Sequence, residues 1–115
     1  MGLTEEEAVL RGIDLQIGRF PVSANGKSMT MGEKTGVAKI VAEKKTGEIL
    51  GAHIFAPRAS DMIAEICLAM SLEATLDELA DTVHPHPTIS EIIMEAAHDA
   101  DSLCVHMPKK KKSIK

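Results

Sequence analysis

At 115 residues the chain has room for one compact domain with a modest core. Its only aromatics are two Phe, so base stacking and cation–π recognition have almost no material, which argues against single-stranded nucleic acid as a ligand. The net charge of −4 hides an asymmetry: Lys109 to Lys112 and Lys115 are five of the thirteen basic residues, leaving eight against seventeen acidic residues over 1–108. An acidic body repels DNA and anionic membranes. The lysine-rich end, 108–115, reads as a short, flexible, solvated tail beyond a domain spanning 4–107.

Cys67 and Cys104 are lone cysteines, with no C-x-x-C motif and no disulfide framework. Cys67 falls in an apolar helical run, where it should be buried and inert. The start, Met1-Gly2-Leu3-Thr4-Glu5-Glu6-Glu7, lacks the basic and apolar regions of a signal peptide. No apolar run reaches membrane-spanning length, so the chain reads as soluble, intracellular and cytoplasmic.

In chain order, Thr4-x-x-Glu7 is a capping box and predicts a short helix from Glu5 to about Leu10, ending at Gly12. Ile13, Leu15 and Ile17 then alternate with Asp14, Gln16 and Gly18, the period of a half-buried strand that Phe20-Pro21 ends. Asn25-Gly26 marks a turn or short helical corner. A second strand runs from Gly36 to Glu43, with Val37, Lys39 and Val41 on one face and Ala38, Ile40 and Ala42 on the other. Lys44-Lys45-Thr46-Gly47 turns the chain into a third strand, Glu48 to Ala56. Both faces of that strand are largely apolar, which predicts a central position. His53 there reads as a satisfied core histidine.

Pro57 closes the strand, and a helix follows from about Ser60 to Glu73. It is apolar almost all round over Met62–Met70, which predicts burial on more than one side, the second against another protein surface. Thr75-x-x-Glu78 opens a further short helix to about Thr82. The last helix carries a stripe of Ile89, Ile92, Ile93, Ala96, Ala97 and Ala100, which leaves Glu91, Glu95, His98 and Asp99 on other faces. His98 reads as a surface residue, and nothing in the sequence pairs His106 with a partner. Helix, strand, hairpin and then three helices make an α+β fold: an antiparallel sheet of three or more strands with helices packed on it.

The groups best placed for chemistry near neutral pH lie in His84-Pro85-His86-Pro87-Thr88-Ile89-Ser90-Glu91. Proline fixes its own φ and biases the preceding residue toward extended geometry, so both histidines should sit in a stiff arm. Thr88-x-x-Glu91 has the form of a capping box, which makes the structural role of Glu91 a helix cap. Alternatively, Glu91 pairs with His86, fixing its tautomer and making the other ring nitrogen a base near pH 7. A His-x-His arm can also bind metal, but no nearby Cys or Asp completes a ligand set at a typical spacing. On spacing alone, the structural reading of His86 stands ahead of the catalytic one.

The segment Thr46-Gly47-Glu48-Ile49-Leu50-Gly51-Ala52-His53, the helix from Ala59 to Glu73 and above all the His84–Glu91 segment resemble the C-terminal interface (dimerisation) domain of the flavin-dependent pyridine-nucleotide disulfide oxidoreductases. Ile17-Gly18-Arg19-Phe20-Pro21 and Ala24-Asn25-Gly26 fit the opening of that domain. A histidine ahead of His-Pro-Thr-x-Ser-Glu, with Glu95-Ala96-Ala97-His98, is most similar to the dihydrolipoamide dehydrogenase branch.

The resemblance implies that His86 is the active-site base and Glu91 the carboxylate that orients it. It implies that His86 reaches across a homodimer into the partner's active site, and that the His86–Pro87 bond is cis. His84 and Pro87 would lie near the partner's flavin, and the all-round apolar helix and the last helix would supply the two-fold interface. FAD, NAD and a redox cysteine pair would belong to the parent protein, whose substrate would be a dithiol such as a lipoyl group. This chain has no Gly-x-Gly-x-x-Gly and no such cysteine pair, so it reads as a piece of a larger enzyme that is inactive alone. The alternative is a free-standing interaction module whose His-Pro arm is structural or binds metal.

Overall fold

The computed structural model describes residues 1–108. Helix α1 (Glu5–Leu10) starts at Thr4, whose hydroxyl accepts from the Glu7 N–H while the Glu7 carboxylate takes the Thr4 N–H, so the capping box is complete. Strand β1 (Leu15–Pro21) follows, then a tight 3-10 turn (Val22–Ala24) and helix α2 (Gly26–Met31). The Asn25 side chain caps α2 by accepting from the Ser28 N–H. β2 (Val37–Glu43) and β3 (Ile49–Phe55) form the hairpin, and α3 (Ala59–Ser71), α4 (Leu76–Asp81) and α5 (Glu91–Ala100) complete the elements of the described residues.

The three strands form an antiparallel sheet in the order β1-β2-β3. β2 is therefore the middle strand, and β3, expected to be central, lies at the edge. Its apolar outer residues have another cause. The N-terminal residues run alongside it: the Leu3 N–H donates to the Leu50 carbonyl and the Ala52 N–H to the Met1 carbonyl. Gly51 allows that approach, because a Cβ there would stand 2.3 Å from the Leu3 carbonyl oxygen.

The core lies between one face of the sheet and helices α3, α4 and α5. Phe20, Ala38, Ile40, Ala42, Ile49 and Ala52 meet Ile66, Leu76, Leu79, Ile92, Ile93, Ala96 and Ala97 there. In β1 the inward residues are Gly18 and Phe20, not the expected set of Ile13, Leu15 and Ile17. Leu15 and Ile17 are half-buried, and Ile17 faces Val41 across the pair. On that same face α1 lies over the sheet, with Glu5 reaching Arg19 and Lys39. Gly18 carries no side chain because the α5 backbone passes directly over it: a Cβ would stand 1.8 Å from the Ala96 carbonyl oxygen.

α5 buries the predicted stripe, with Ile92, Ala96 and Ala97 fully enclosed. α3 differs. Only Met62 and Ile66 are buried, while Leu68 and Leu72 are well exposed. Cys67, expected to be buried, is only half-buried, because α3 is covered on one side. No helix among the described residues is long and apolar enough to cross a membrane. The lysine-rich tail, apart from Pro108, lies outside the described residues.

Candidate functional site: the His-Pro arm and its two carboxylates

The arm leaves α4 at Thr82, where the Thr75 backbone and Glu78 carboxylate have already fixed the helix start, and enters α5 at Glu91. The His86–Pro87 peptide is cis. Past it, the Thr88 hydroxyl donates to the Pro85 carbonyl at 2.8 Å, closing the arm on itself. The Thr88–Glu91 box forms only by half. The Thr88 N–H donates to Glu91 Oε2 at 2.9 Å, but the Thr88 hydroxyl donates to the Pro85 carbonyl, and helix α5 begins two residues later than a full box would place it.

The freed Oε1 of Glu91 lies 2.9 Å from Nδ1 of His86. The pair that sequence spacing suggested is therefore present, and the carboxylate caps the helix entry and orients a ring together. The ring is 75% exposed and the carboxylate 16%. Burial pushes the Glu91 carboxyl up, but the Thr88 N–H and the His86 ring outweigh it and hold it below its ordinary value. In a neutral ring, Nδ1 donating to the carboxylate leaves the lone pair on Nε2, in a side chain that is largely exposed. This arrangement can accept a proton from a group brought up to the exposed ring.

His84 takes a different direction. Its ring is 5% exposed, with Nε2 2.8 Å from Glu65 Oε1 on α3 and Nδ1 2.9 Å from the Thr82 carbonyl oxygen. The hydrogen bond to the Glu65 carboxylate raises its pKa, against the opposing effect of burial. The two histidines of the His-x-His arm thus part toward different helices and do not form a chelating pair. Among the described residues no three His, Cys, Asp or Glu side chains gather as a metal cluster.

Three expectations are corrected around α5. Glu95 and Asp99, assigned to other faces, are 4% and 3% exposed. Asp99 accepts the Arg19 N–H from β1 at 2.9 Å. Glu95 accepts from the Cys104 thiol at 2.9 Å and pairs with Nδ1 of His106, so His106 does have a partner. Burial, with the Glu95 carboxylate beside it, pushes the Cys104 thiol up to about 11. A small cavity of about 110 Å³ has His86, Glu91, Glu95 and His106 in its walls. The four-residue spacing of Glu91 and Glu95 was the available sign that both serve one flank of α5. His98 is half-buried, not a plain surface residue. His53, expected to be satisfied in the core, is half-buried and its buried Nδ1 has no hydrogen-bond partner; burial lowers its pKa.

A larger groove of about 620 Å³ runs beside the arm, between Lys27 and Met31 of α2, Arg58 and Glu65 at α3, and the Pro87–Ser90 stretch. The sheet of the described residues is antiparallel throughout, so it has no parallel βαβ turn of the kind that holds a pyrophosphate.

Known proteins resemble the chain in sequence and in fold. The chain is 49% identical over 106 residues to dihydrolipoyl dehydrogenase of Bacillus subtilis, covering 92% of this chain and 22% of that protein. It is 44% identical over 106 residues to the enzyme of the same name from Halobacterium salinarum, with the same coverage. The fold superposes on LpdA from Mycobacterium tuberculosis with a TM-score of 0.79 at 28% identity, over 85% of this chain and 21% of that one. It also superposes on the flavoprotein disulfide reductase RclA of Escherichia coli, with a TM-score of 0.79 at 30% identity, over 84% of this chain and 22% of that one. The chain thus spans about a fifth of the length of the curated relatives it matches. Residues 1–97 match the sequence profile of one family, and the chain belongs to it: the dimerisation domain of the pyridine nucleotide-disulphide oxidoreductases.

Proposed function

We propose that this chain is the interface domain of a dihydrolipoamide dehydrogenase. It would form the homodimer and lend His86 and Glu91 to the partner subunit's active site for the FAD-dependent, NAD-linked oxidation of a dithiol such as a lipoyl group. The observation that carries this reading is the exposed His86 ring held by Nδ1 on Glu91. The resemblance of names among its relatives supports the substrate class. FAD and NAD would be held by the remainder of the parent, and this chain alone is expected to be inactive.

The chain's part in the reaction is then proton handling. Nε2 of His86 takes the proton of a substrate thiol. The thiolate so formed attacks one sulfur of a cystine in the parent; one S–S bond breaks as another forms, and the displaced sulfur leaves as a thiolate. Glu91 stabilises the imidazolium while the proton is held there.

In the parent enzyme, His86→Ala should slow dithiol oxidation by about 10²- to 10⁴-fold, the usual contribution of a positioned acid–base group, while the flavin absorbance spectrum stays unchanged. Equal rates in the variant and the unaltered enzyme would overturn the role of His86.

A further inference from the structure

His84 is a buried titratable group that the proposed chemistry does not use. We propose that His84 is a positioning residue held as an imidazolium by Glu65, and that this ion pair clamps the arm so that His86 is presented only while His84 keeps its proton.

The geometry leaves the ring little choice. A neutral imidazole has one N–H, yet both nitrogens of His84 face acceptors, the Thr82 carbonyl at 2.9 Å and the Glu65 carboxylate at 2.8 Å. A carbonyl oxygen cannot donate, so one extra proton must sit between His84 and Glu65. Histidine, the stronger base of the two, holds it. With the ring 5% exposed, water does not readily replace either bond once the proton leaves.

The surroundings favour the cation. Glu65 faces the ring from α3, and Glu91 adds a weaker attraction from α5. On α4, Glu78 is already engaged by the Thr75 N–H and hydroxyl, and the end of that helix presents the Thr82 carbonyl. Lys27, Arg58 and Asp61 share with Glu65 the wall of the large groove.

The clamp reaches the reactive ring through a short, stiff path. Two residues separate the anchored His84 from Pro87, and Thr88 then ties back to Pro85 and on to Glu91. His86 projects from a span fixed on α3 and α4 at one end and on α5 at the other. For a histidine stabilised as a cation, the contribution to order is complete below the ordinary value of 6.5. It is lost as pH rises through the higher folded value. Alkaline pH should therefore loosen the arm through His84.

The test has two arms. In the first, ring nitrogen resonances are recorded on the intact 115-residue chain, where His84 should carry two N–H groups at about pH 7 and titrate above an ordinary histidine. Glu65→Gln, which keeps a hydrogen bond but removes the charge, should move that titration down. A single N–H on His84 at neutral pH, or a titration unmoved by Glu65→Gln, overturns the proposal.

The second arm is kinetic and rests on the acid–base reading of His86. In the parent enzyme, Glu65→Gln and His84→Asn should each lower kcat for dithiol oxidation about tenfold with KM unchanged, as expected from a misplaced base. Full activity in both variants across the alkaline range, with His86→Ala slowed as expected, also overturns it. If His86→Ala keeps full activity while His84 shows the expected spectrum, the acid–base reading of His86 falls and the imidazolium clamp of the arm stands.

Discussion

The two flanks of the His-Pro arm are built in opposite ways. On the α5 flank the helix lies so close to the sheet that Gly18 must lack a side chain, its apolar stripe is enclosed, and even Glu95 and Asp99 are buried with partners. That rigid helix carries Glu91 and, through it, the ring that is open to solvent. On the α3 flank the helix is covered on one side only, and Leu68 and Leu72 stand exposed. That open helix carries Glu65, which holds the ring that is buried. The exposed ring is thus held by the better-packed element, and the buried ring ties the arm to the looser one. Leu68 and Leu72 remain for a further surface to cover.

The greatest damage to this contrast should come from Gly18→Ala. Its Cβ would collide with backbone, not with a side chain able to rotate away, so α5 must lift and carry Glu91 with it. A loss of about 3 kcal/mol or more is expected in urea unfolding, a large share of a small domain's stability. An unchanged midpoint would mean that α5 sits farther from β1 than described. Next in size, Ile92→Ala on the closed flank should cost about 2–5 kcal/mol, whereas Leu68→Ala on the open flank should stay within about 0.5 kcal/mol in the isolated chain. Equal costs, with a midpoint that depends on protein concentration, would show that the chain already covers α3 with a second copy.

Which features could be read from the sequence follows the same division. The α5 stripe was legible because its apolar residues recur at helical spacing, and the Thr–Glu boxes at α1 and α4 because capping is local. The His86–Glu91 pair could be suggested because the two lie five residues apart in one segment, with Pro87 stiffening the span between them. His84–Glu65 was not: its members are 19 residues apart and meet only because α3 folds back beside the arm. The burial of Glu95 and Asp99 was hidden for a like reason, since their partners are Arg19, Cys104 and His106 and a helical wheel sees none of them. In β1 the inward position at Gly18 has no apolar side chain to reveal it, so the alternation pointed to the wrong face. β3 looked central because its edge is covered by residues 1–3, a pairing with no sequence signature.

The smallest effect separates the two carboxylates by pH. Glu91 titrates below its ordinary value in the fold, so its contribution to stability is present above the unfolded value and is lost as pH falls through the folded one. His84 behaves in the reverse sense, with its contribution lost as pH rises. Glu91→Gln keeps an acceptor for the Thr88 N–H and removes only the charge. The stability difference between this variant and the unaltered chain should therefore be constant around neutral pH and close only below the ordinary carboxylate value of 4.5. For Glu65→Gln the difference should instead close on the alkaline side, because deprotonation of His84 removes the cation that makes the Glu65 charge useful. Urea midpoints measured from about pH 2 to about pH 9 would separate the two. If both differences closed in the same direction, the two histidine–carboxylate pairs would be electrostatically alike, and burial would not be what distinguishes the clamp from the base.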